Sequence, residues 1–197
     1  MRVIAGEAKG RTLRRVPGKG TRPISDRVKE SLFNILSWQV PECRFLDLFA
    51  GTGGVGIEAL TRGAQEAVFV EKAPKAIRVL RENLRLTRMN DRARVIQDDV
   101  FRFVLLANQQ VAPQDRFDII YVAPPQYQEL WAKTLIALEG TPLLTPDGVI
   151  VAQIFPKEYR ALPLTKVVLT DQRTYGSTML CFYERHSGVV DLTDTQP

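Results

Sequence analysis

Residues 45–60, FLDLFAGTGGVGIEAL, run without a break from an apolar strand through a glycine turn into the start of a helix. Phe45, Leu46, Leu48 and Phe49 supply the strand, Gly51, Gly53 and Gly54 let the backbone turn closely against a ligand, and Val55, Ile57 and Leu60 open a helical face. That succession cradles a nucleotide cofactor. The glycines alone leave the cofactor open: Gly51, Gly53 and Gly56 also satisfy the G-x-G-x-x-G dinucleotide spacing, and Glu71 ends the next strand where a ribose-binding acid belongs.

Three further features favour S-adenosylmethionine. The strand carries an acid, Asp47, which attracts the cationic amine and sulfonium of that cofactor's methionine end and would repel a pyrophosphate. A second acidic pair, Asp98 and Asp99, follows the segment ARVIQ, and an acid at that strand end can accept from an adenine amino group. The segment FDIIYVAPPQY, residues 117–127, is an apolar strand stopped by two prolines, where many amino-directed methyltransferases hold the target base.

The 197 residues, 45% hydrophobic and 25% charged, suffice for one globular α/β domain. Cys43 and Cys181 lie far apart without metal-ligand spacing, and the single histidine, His186, is near the end, so no metal site is expected and both thiols are expected to be reduced and structural. No apolar run reaches the roughly 20 residues that cross a bilayer, and no secretion-signal pattern opens the chain, so the expected location is the cytoplasm, with no membrane partner. Charge is unevenly spread: residues 1–30 hold nine bases and three acids, whereas the remaining bases and acids nearly balance. A basic arm with Gly6, Gly10, Pro17, Gly18, Gly20 and Pro23 set between the charges suggests turns that present them to a polyanion, and it favours nucleic acid as partner. The arm candidates are Lys9, Arg11, Arg14, Arg15, Arg22, Arg27 and Lys29.

The pattern predicts a short β-hairpin around VIAGEAKGRTLRRV, then a helix capped by Ser25 or Asp26 with Val28, Leu32, Ile35 and Leu36 at helical spacing. Strands and helices then alternate: FLDLF, the helix after Gly54, AVFVE, a helix from Pro74 to about Leu86, RVIQ, a helix over Val100 to Asn108, FDIIYV, a helix from Leu130 to Leu138, and GVIVAQIF. The expected architecture is a Rossmann-like, doubly wound, mostly parallel sheet. KVVLTDQRTYG and STMLCFYER form an antiparallel hairpin at its edge, joined near Gly176. The expected organisation is a basic extension over 1–24, the catalytic domain over 25–186 and a loose tail over 187–197.

MRVIAGEAKGRTLRRVPG, TRPISDRVKESLFNIL, FLDLFAGTGGVGIEALTRGA and FVEK together resemble the RsmD-type family of small-subunit ribosomal RNA guanine-N2 methyltransferases, and RTYGSTMLCFYE resembles its closing hairpin. The resemblance implies an S-adenosylmethionine-dependent methyltransferase fold acting on the exocyclic amine of one guanine, within ribosomal RNA or its ribonucleoprotein particle, as a monomer. It also implies that the cofactor loop falls on Asp47 and on Ala50, Gly51, Thr52 and Gly53, with the ribose acid at Glu71 and Lys72 beside it against the adenine. The acid near the adenine amine aligns with Asp99, Asp98 being the next candidate. The segment TRPISDR is expected to fold over the mouth of the site, bringing Arg22, Asp26 and Arg27 near RNA or cofactor.

One departure bears on catalysis. Where the family pattern has Asp or Asn, then Pro, Pro and an aromatic, this chain has Ala123, Pro124, Pro125 and Gln126, with Tyr127 one place late. A guanine N2 lone pair is delocalised into its ring, and acceptors for its N–H groups favour the more pyramidal nitrogen that attacks a methyl carbon. Ala123 offers none. The Pro124 carbonyl remains, and Gln126, Tyr127 or Asp26 are the replacements that the sequence suggests; Tyr127 or Phe33 are the aromatics that would stack on an extruded base. The alternatives are a cofactor-binding RNA-binding or assembly factor with weak or no transfer, and methylation of a different base.

Overall fold

The apolar runs of the central strands are buried on both faces, as a parallel sheet requires, and their order decides where a ligand can sit. The computed structural model describes residues 1–16, 24–107 and 111–186. Helix α1 (Asp26–Leu36) precedes β1 (Arg44–Leu48), α2 (Gly56–Thr61), β2 (Glu66–Glu71), α3 (Pro74–Thr87), β3 (Ala93–Gln97), α4 (Val100–Ala107), β4 (Phe117–Val122), α5 (Leu130–Glu139) and β5 (Leu144–Ile154). The hairpin β6 (Val167–Tyr175) and β7 (Thr178–Arg185) follows. The sheet order is β3-β2-β1-β4-β5-β7-β6, with β7 antiparallel to both neighbours and the first five strands parallel.

Alternation along each strand divides the interior into two cores. Phe45, Phe69, Ile119, Tyr121 and Val151 face α1, α2 and α3, and Leu46, Val70, Ile120 and Ile150 face α4 and α5. Ser25 caps α1 through its hydroxyl, which accepts from the Val28 N–H at 3.3 Å, as the sequence suggests; Asp26 is already the first helical residue. Strand β5 begins at Leu144, ahead of the GVIVAQIF run, because the register with β4 jumps from Phe117 opposite Leu144 to Ile119 opposite Val149. Cys43 and Cys181 are buried free thiols that burial pushes up to about 12, out of reach of ordinary thiolate chemistry. Among the described residues no helix is long and apolar enough to cross a membrane.

The basic arm forms the predicted hairpin in minimal form: an antiparallel bridge joins Arg2 to Thr12, with the Val3 N–H donating to the Arg11 carbonyl at 2.9 Å and the Leu13 N–H to that of Met1 at 2.9 Å. This hairpin is packed into the domain, with Val3, Ala8 and Leu13 buried in the same core as α1 and α2. Its docking centres on Glu58 of α2, a fully buried carboxylate. Glu58 accepts the Ile4 N–H at 2.8 Å and the Ala5 N–H at 2.9 Å, and pairs with Lys29 Nζ at 3.0 Å and Arg62 Nε at 3.0 Å. Residues 17–23 and the expected loose tail, 187–197, lie outside the described residues.

Candidate active site

The winding of the sheet reverses between β1 and β4, and in open α/β sheets such a reversal sets the ligand crevice beyond the carboxyl ends of the strands. The loop leaving β1 turns there with Phe49 at φ +62°, Gly51 at +55° and Gly53 at +80°. The glycines divide by what a side chain would meet. A Cβ at Gly53 would strike Leu80 at 2.2 Å, one at Gly54 the Met1 sulfur at 2.3 Å and one at Gly56 the Phe69 ring at 2.4 Å, whereas at Gly51 the nearest atom is the Phe49 carbonyl oxygen at 4.0 Å. Gly51 therefore faces open space, and the others let helix, arm and strand close up against the turn. The close turn that the sequence assigns to Gly53 and Gly54 is thus one in which protein atoms leave no room for a side chain. Ala50 and Thr52 are held as part of the turn: the Ala50 N–H donates to the Val70 carbonyl at 3.1 Å, and the Thr52 carbonyl accepts from Asn83 Nδ2 at 2.9 Å.

Two acids frame the loop. Glu71, ending β2, accepts the Gly51 N–H at 2.8 Å and the Ala73 N–H at 2.8 Å, which leaves further lone pairs on both oxygens for a ribose diol. Asp47 is buried within β1 and accepts the Gly56 N–H at 3.0 Å. Burial pushes its carboxyl up to about 7; the Gly56 N–H works against the rise and the Glu71 charge adds to it. At the end of β3, Asp98 accepts the Asp99 N–H at 2.8 Å, Asp99 accepts the Phe101 N–H at 2.9 Å, and Lys72 reaches Asp99 at 3.6 Å. Glu71, Lys72 and Asp99 thus share one rim of the crevice.

At the end of β4, Ala123 is half-buried and Pro124 buried, while Pro125, Gln126 and Tyr127 are exposed. Tyr127 adopts φ +63°, its N–H donates to Glu158 at 2.6 Å, and its ring, 69% exposed, lies 5.5 Å from that of Phe155. The displaced aromatic is therefore presented at the mouth rather than lost. Beside Ala123 stands a residue absent from the sequence assignment. The β4–β5 register ends with Val122 opposite Ala152, so Ala123 and Gln153 follow one step on, and Gln153 Oε1 lies 2.5 Å from the Tyr121 hydroxyl on the same face of the sheet. Burial first, and the Asp47 charge second, hold the Tyr121 phenol well above its usual range, so it remains a donor. A glutamine inside the run VIVAQIF was the available signal.

Of the arm residues, Lys9, Arg11, Arg14, Arg15 and Arg27 are exposed, with Arg14 pairing to Glu82 at 3.1 Å and Arg11 donating to the Leu86 carbonyl. Arg22 lies outside the described residues. Lys29 does not belong with them: it is fully buried on Glu58 and also donates to the Arg2 carbonyl at 2.6 Å, so it cannot touch RNA. Phe33 is likewise withdrawn as a stacking platform, since it is buried beneath the Arg62 guanidinium, 4.8 Å from the ring centre. Asp26 is engaged by Arg2 at 3.0 Å.

With this geometry in place, residues 1–184 match the family described as conserved hypothetical protein 95. The chain belongs to this family, the RsmD family of methyltransferases. Relatives include the Bacillus subtilis protein YlbH, 38% identical over 94% of this chain and 99% of its own. The Escherichia coli ribosomal RNA small subunit methyltransferase D is 33% identical over 78% of this chain and 74% of its own. The solved structure of Escherichia coli yhhF superposes with a TM-score of 0.79 at 31% identity, covering 94% of this chain and 97% of the other. The RsmD resemblance read from the sequence and the methyltransferase fold are thus borne out.

Proposed function

We propose that the protein uses S-adenosylmethionine to methylate the exocyclic N2 amine of a guanine in small-subunit ribosomal RNA, acting as a monomer in the cytoplasm. The observation that carries this reading is the juxtaposition of the open Gly51 cradle, rimmed by Glu71 and Asp99, with the Ala123–Tyr127 loop at the same crevice. Family membership supports the RNA substrate, since the Escherichia coli relative is by name a small-subunit ribosomal RNA methyltransferase. The residues fit the cofactor: Gly51 offers backbone without side chain, Glu71 has acceptors for the ribose, Asp98 and Asp99 offer acceptors for the adenine amine, and Asp47 supplies negative potential beneath the methionine end. When bound, that cofactor supplies a methyl group on a cationic sulfur.

The missing acceptor at Ala123 is replaced by Gln153. Its Oε1 has two lone pairs, one taken by the Tyr121 hydroxyl at 2.5 Å and one left for an N–H of the target amine. The Pro124 carbonyl accepts the other N–H, and the exposed Tyr127 ring stacks on the extruded base. An uncharged carboxamide accepts as the Asn of the family pattern does and less strongly than its Asp, which predicts an enzyme that still transfers. The test is transfer of labelled methyl from S-adenosylmethionine to unmodified small ribosomal subunits, followed by nucleoside identification. N2-methylguanosine is expected; label on another nucleoside keeps the reaction and overturns the substrate. Absence of label, with cofactor binding intact, favours the second reading, an RNA-binding factor without transfer, which Ala123 alone recommends.

A further inference from the structure

Helix α3 carries Lys75, Arg78, Arg81 and Arg85 against a single acid, Glu82, and that acid is taken by Arg14 of the arm. Arg78, Arg81 and Arg85 stand three and four residues apart, so they share one face of the helix. Ile77, Leu80 and Leu84 turn the adjoining face into the core, and the arm docks along the other flank, through Asn83 and the Leu86 carbonyl. The three arginines line a shallow groove of about 270 Å³ together with Pro74, Ile77 and Gln97, the last residue of the edge strand β3. None of the three guanidiniums forms an ion pair or hydrogen bond among the described residues. Like charges at these spacings each cost a few tenths of a kcal/mol, and the helix has a base, Lys75, but no acid in its first turn, opposite to what its dipole favours. A row of mutually repelling guanidiniums, held unpaired beside a groove, is relieved by a polyanion. Guanidinium forks match phosphate oxygens in pairs, a fit that ammonium groups do not reproduce.

We infer that the Arg78, Arg81 and Arg85 face of α3 is a second RNA-binding surface, which takes the phosphate backbone of the substrate strand away from the target nucleotide. The row begins just after Glu71 and Lys72 on the cofactor rim and runs back along the sheet edge, over a rise of roughly 10 Å at 1.5 Å per residue. Arg11 and Arg14 lean on the same helix from the other side. Arm and helix thus form one positive surface whose far end lies behind the cofactor crevice. The inference rests on the proposed RNA substrate and adds to it the path of the RNA across the protein.

The test compares the full chain with R78Q/R81Q/R85Q, measuring binding to a labelled fragment of small-subunit ribosomal RNA between 50 and 200 mM salt, without cofactor. Losing three phosphate contacts should reduce the slope of log affinity against log salt by about 2 to 3, while cofactor affinity stays unchanged and the melting temperature is equal to or slightly above the parent's. The variant R78K/R81K/R85K should keep the slope and bind a few-fold more weakly, and K133Q/K166Q/R173Q, on α5 and the opposite sheet edge, should bind as the parent does. An unchanged slope in R78Q/R81Q/R85Q, or an equal loss in K133Q/K166Q/R173Q, overturns the inference. So does normal binding to naked RNA with weakened binding only to whole subunits, which would point to a ribosomal protein. A parent chain that binds RNA with the full slope yet transfers no methyl refutes the proposed activity and leaves the surface standing.

Discussion

A buried carboxylate is expensive, and Asp47 shows what that cost secures. Its charge lies beneath the crevice, and burial raises its pKa to about 7 from a usual value near 3.8. An acid raised in this way contributes stability that is complete below pH 4 and lost as pH rises through 7. Asp47→Asn keeps an acceptor for the Gly56 N–H and removes the charge. It should therefore flatten the decline in melting temperature between pH 5 and 8 and stabilise the protein at pH 8 by on the order of 1 to 4 kcal/mol. The same substitution should weaken S-adenosylmethionine binding about tenfold, roughly 1.4 kcal/mol, read by calorimetry. Tighter or unchanged cofactor binding would mean that Asp47 serves only to anchor the loop. The second decisive residue is Gln153. Gln153→Leu should lower the transfer rate about 100- to 1000-fold, by analogy with a lost oxyanion donor, with cofactor affinity kept. Restoration of the rate by Ala123→Asp in that background would show that one acceptor had moved between neighbouring strands; a parental rate in Gln153→Leu would remove it from the mechanism.

At the scale of elements, the molecule depends on one carboxylate at the meeting of arm, α1 and α2. Glu58→Ala strands the buried Lys29 ammonium and two arm N–H groups together, and should cost about 3 to 5 kcal/mol in urea unfolding. Lys29→Met leaves Glu58 with Arg62 and both N–H groups and should cost distinctly less. The reverse order would mean that the arm is held mainly by Val3, Ala8 and Leu13. The same junction marks the limit of what the sequence reveals. The glycine turn, the Ser25 cap, Pro74 at the start of α3 and the edge hairpin at Gly176 are legible because their signals are local: a capping hydroxyl, a fixed φ or a positive one, an apolar period. Lys29 reads as one more exposed base of the arm because its partner, Glu58, is far along the chain, and counting charges in a segment cannot distinguish a buried cation from an exposed one. Gln153 is silent in the sequence for the same reason, since its place beside Ala123 depends on the β4–β5 register, which a single strand does not encode.

At the scale of the whole molecule, near balance of charge after residue 30 conceals segregation. Glu71, Asp98 and Asp99 stand together at the crevice rim, while α3 keeps an arginine row with one acid, Glu82, that Arg14 engages. The cationic cofactor and the anionic RNA are thus drawn to neighbouring but distinct surfaces. This arrangement also alters how the arm should be tested. Deleting residues 1–22 would remove Val3, Ala8 and Leu13 from the core and leave Glu58 without two of its donors, so a loss of RNA binding would mix unfolding with lost charge. Lys9 and Arg15 are exposed and outside every ion pair among the described residues, so Lys9→Gln/Arg15→Gln isolates the electrostatic part. It should reduce the salt slope by about 1 to 2 with no change in melting temperature. Because the arm and the arginine row touch different phosphates in this arrangement, combining these changes with R78Q/R81Q/R85Q should reduce the slope by the sum of the two separate effects. A combined variant no worse than the arginine triple alone would place the RNA on α3 and leave the arm's charges facing solvent.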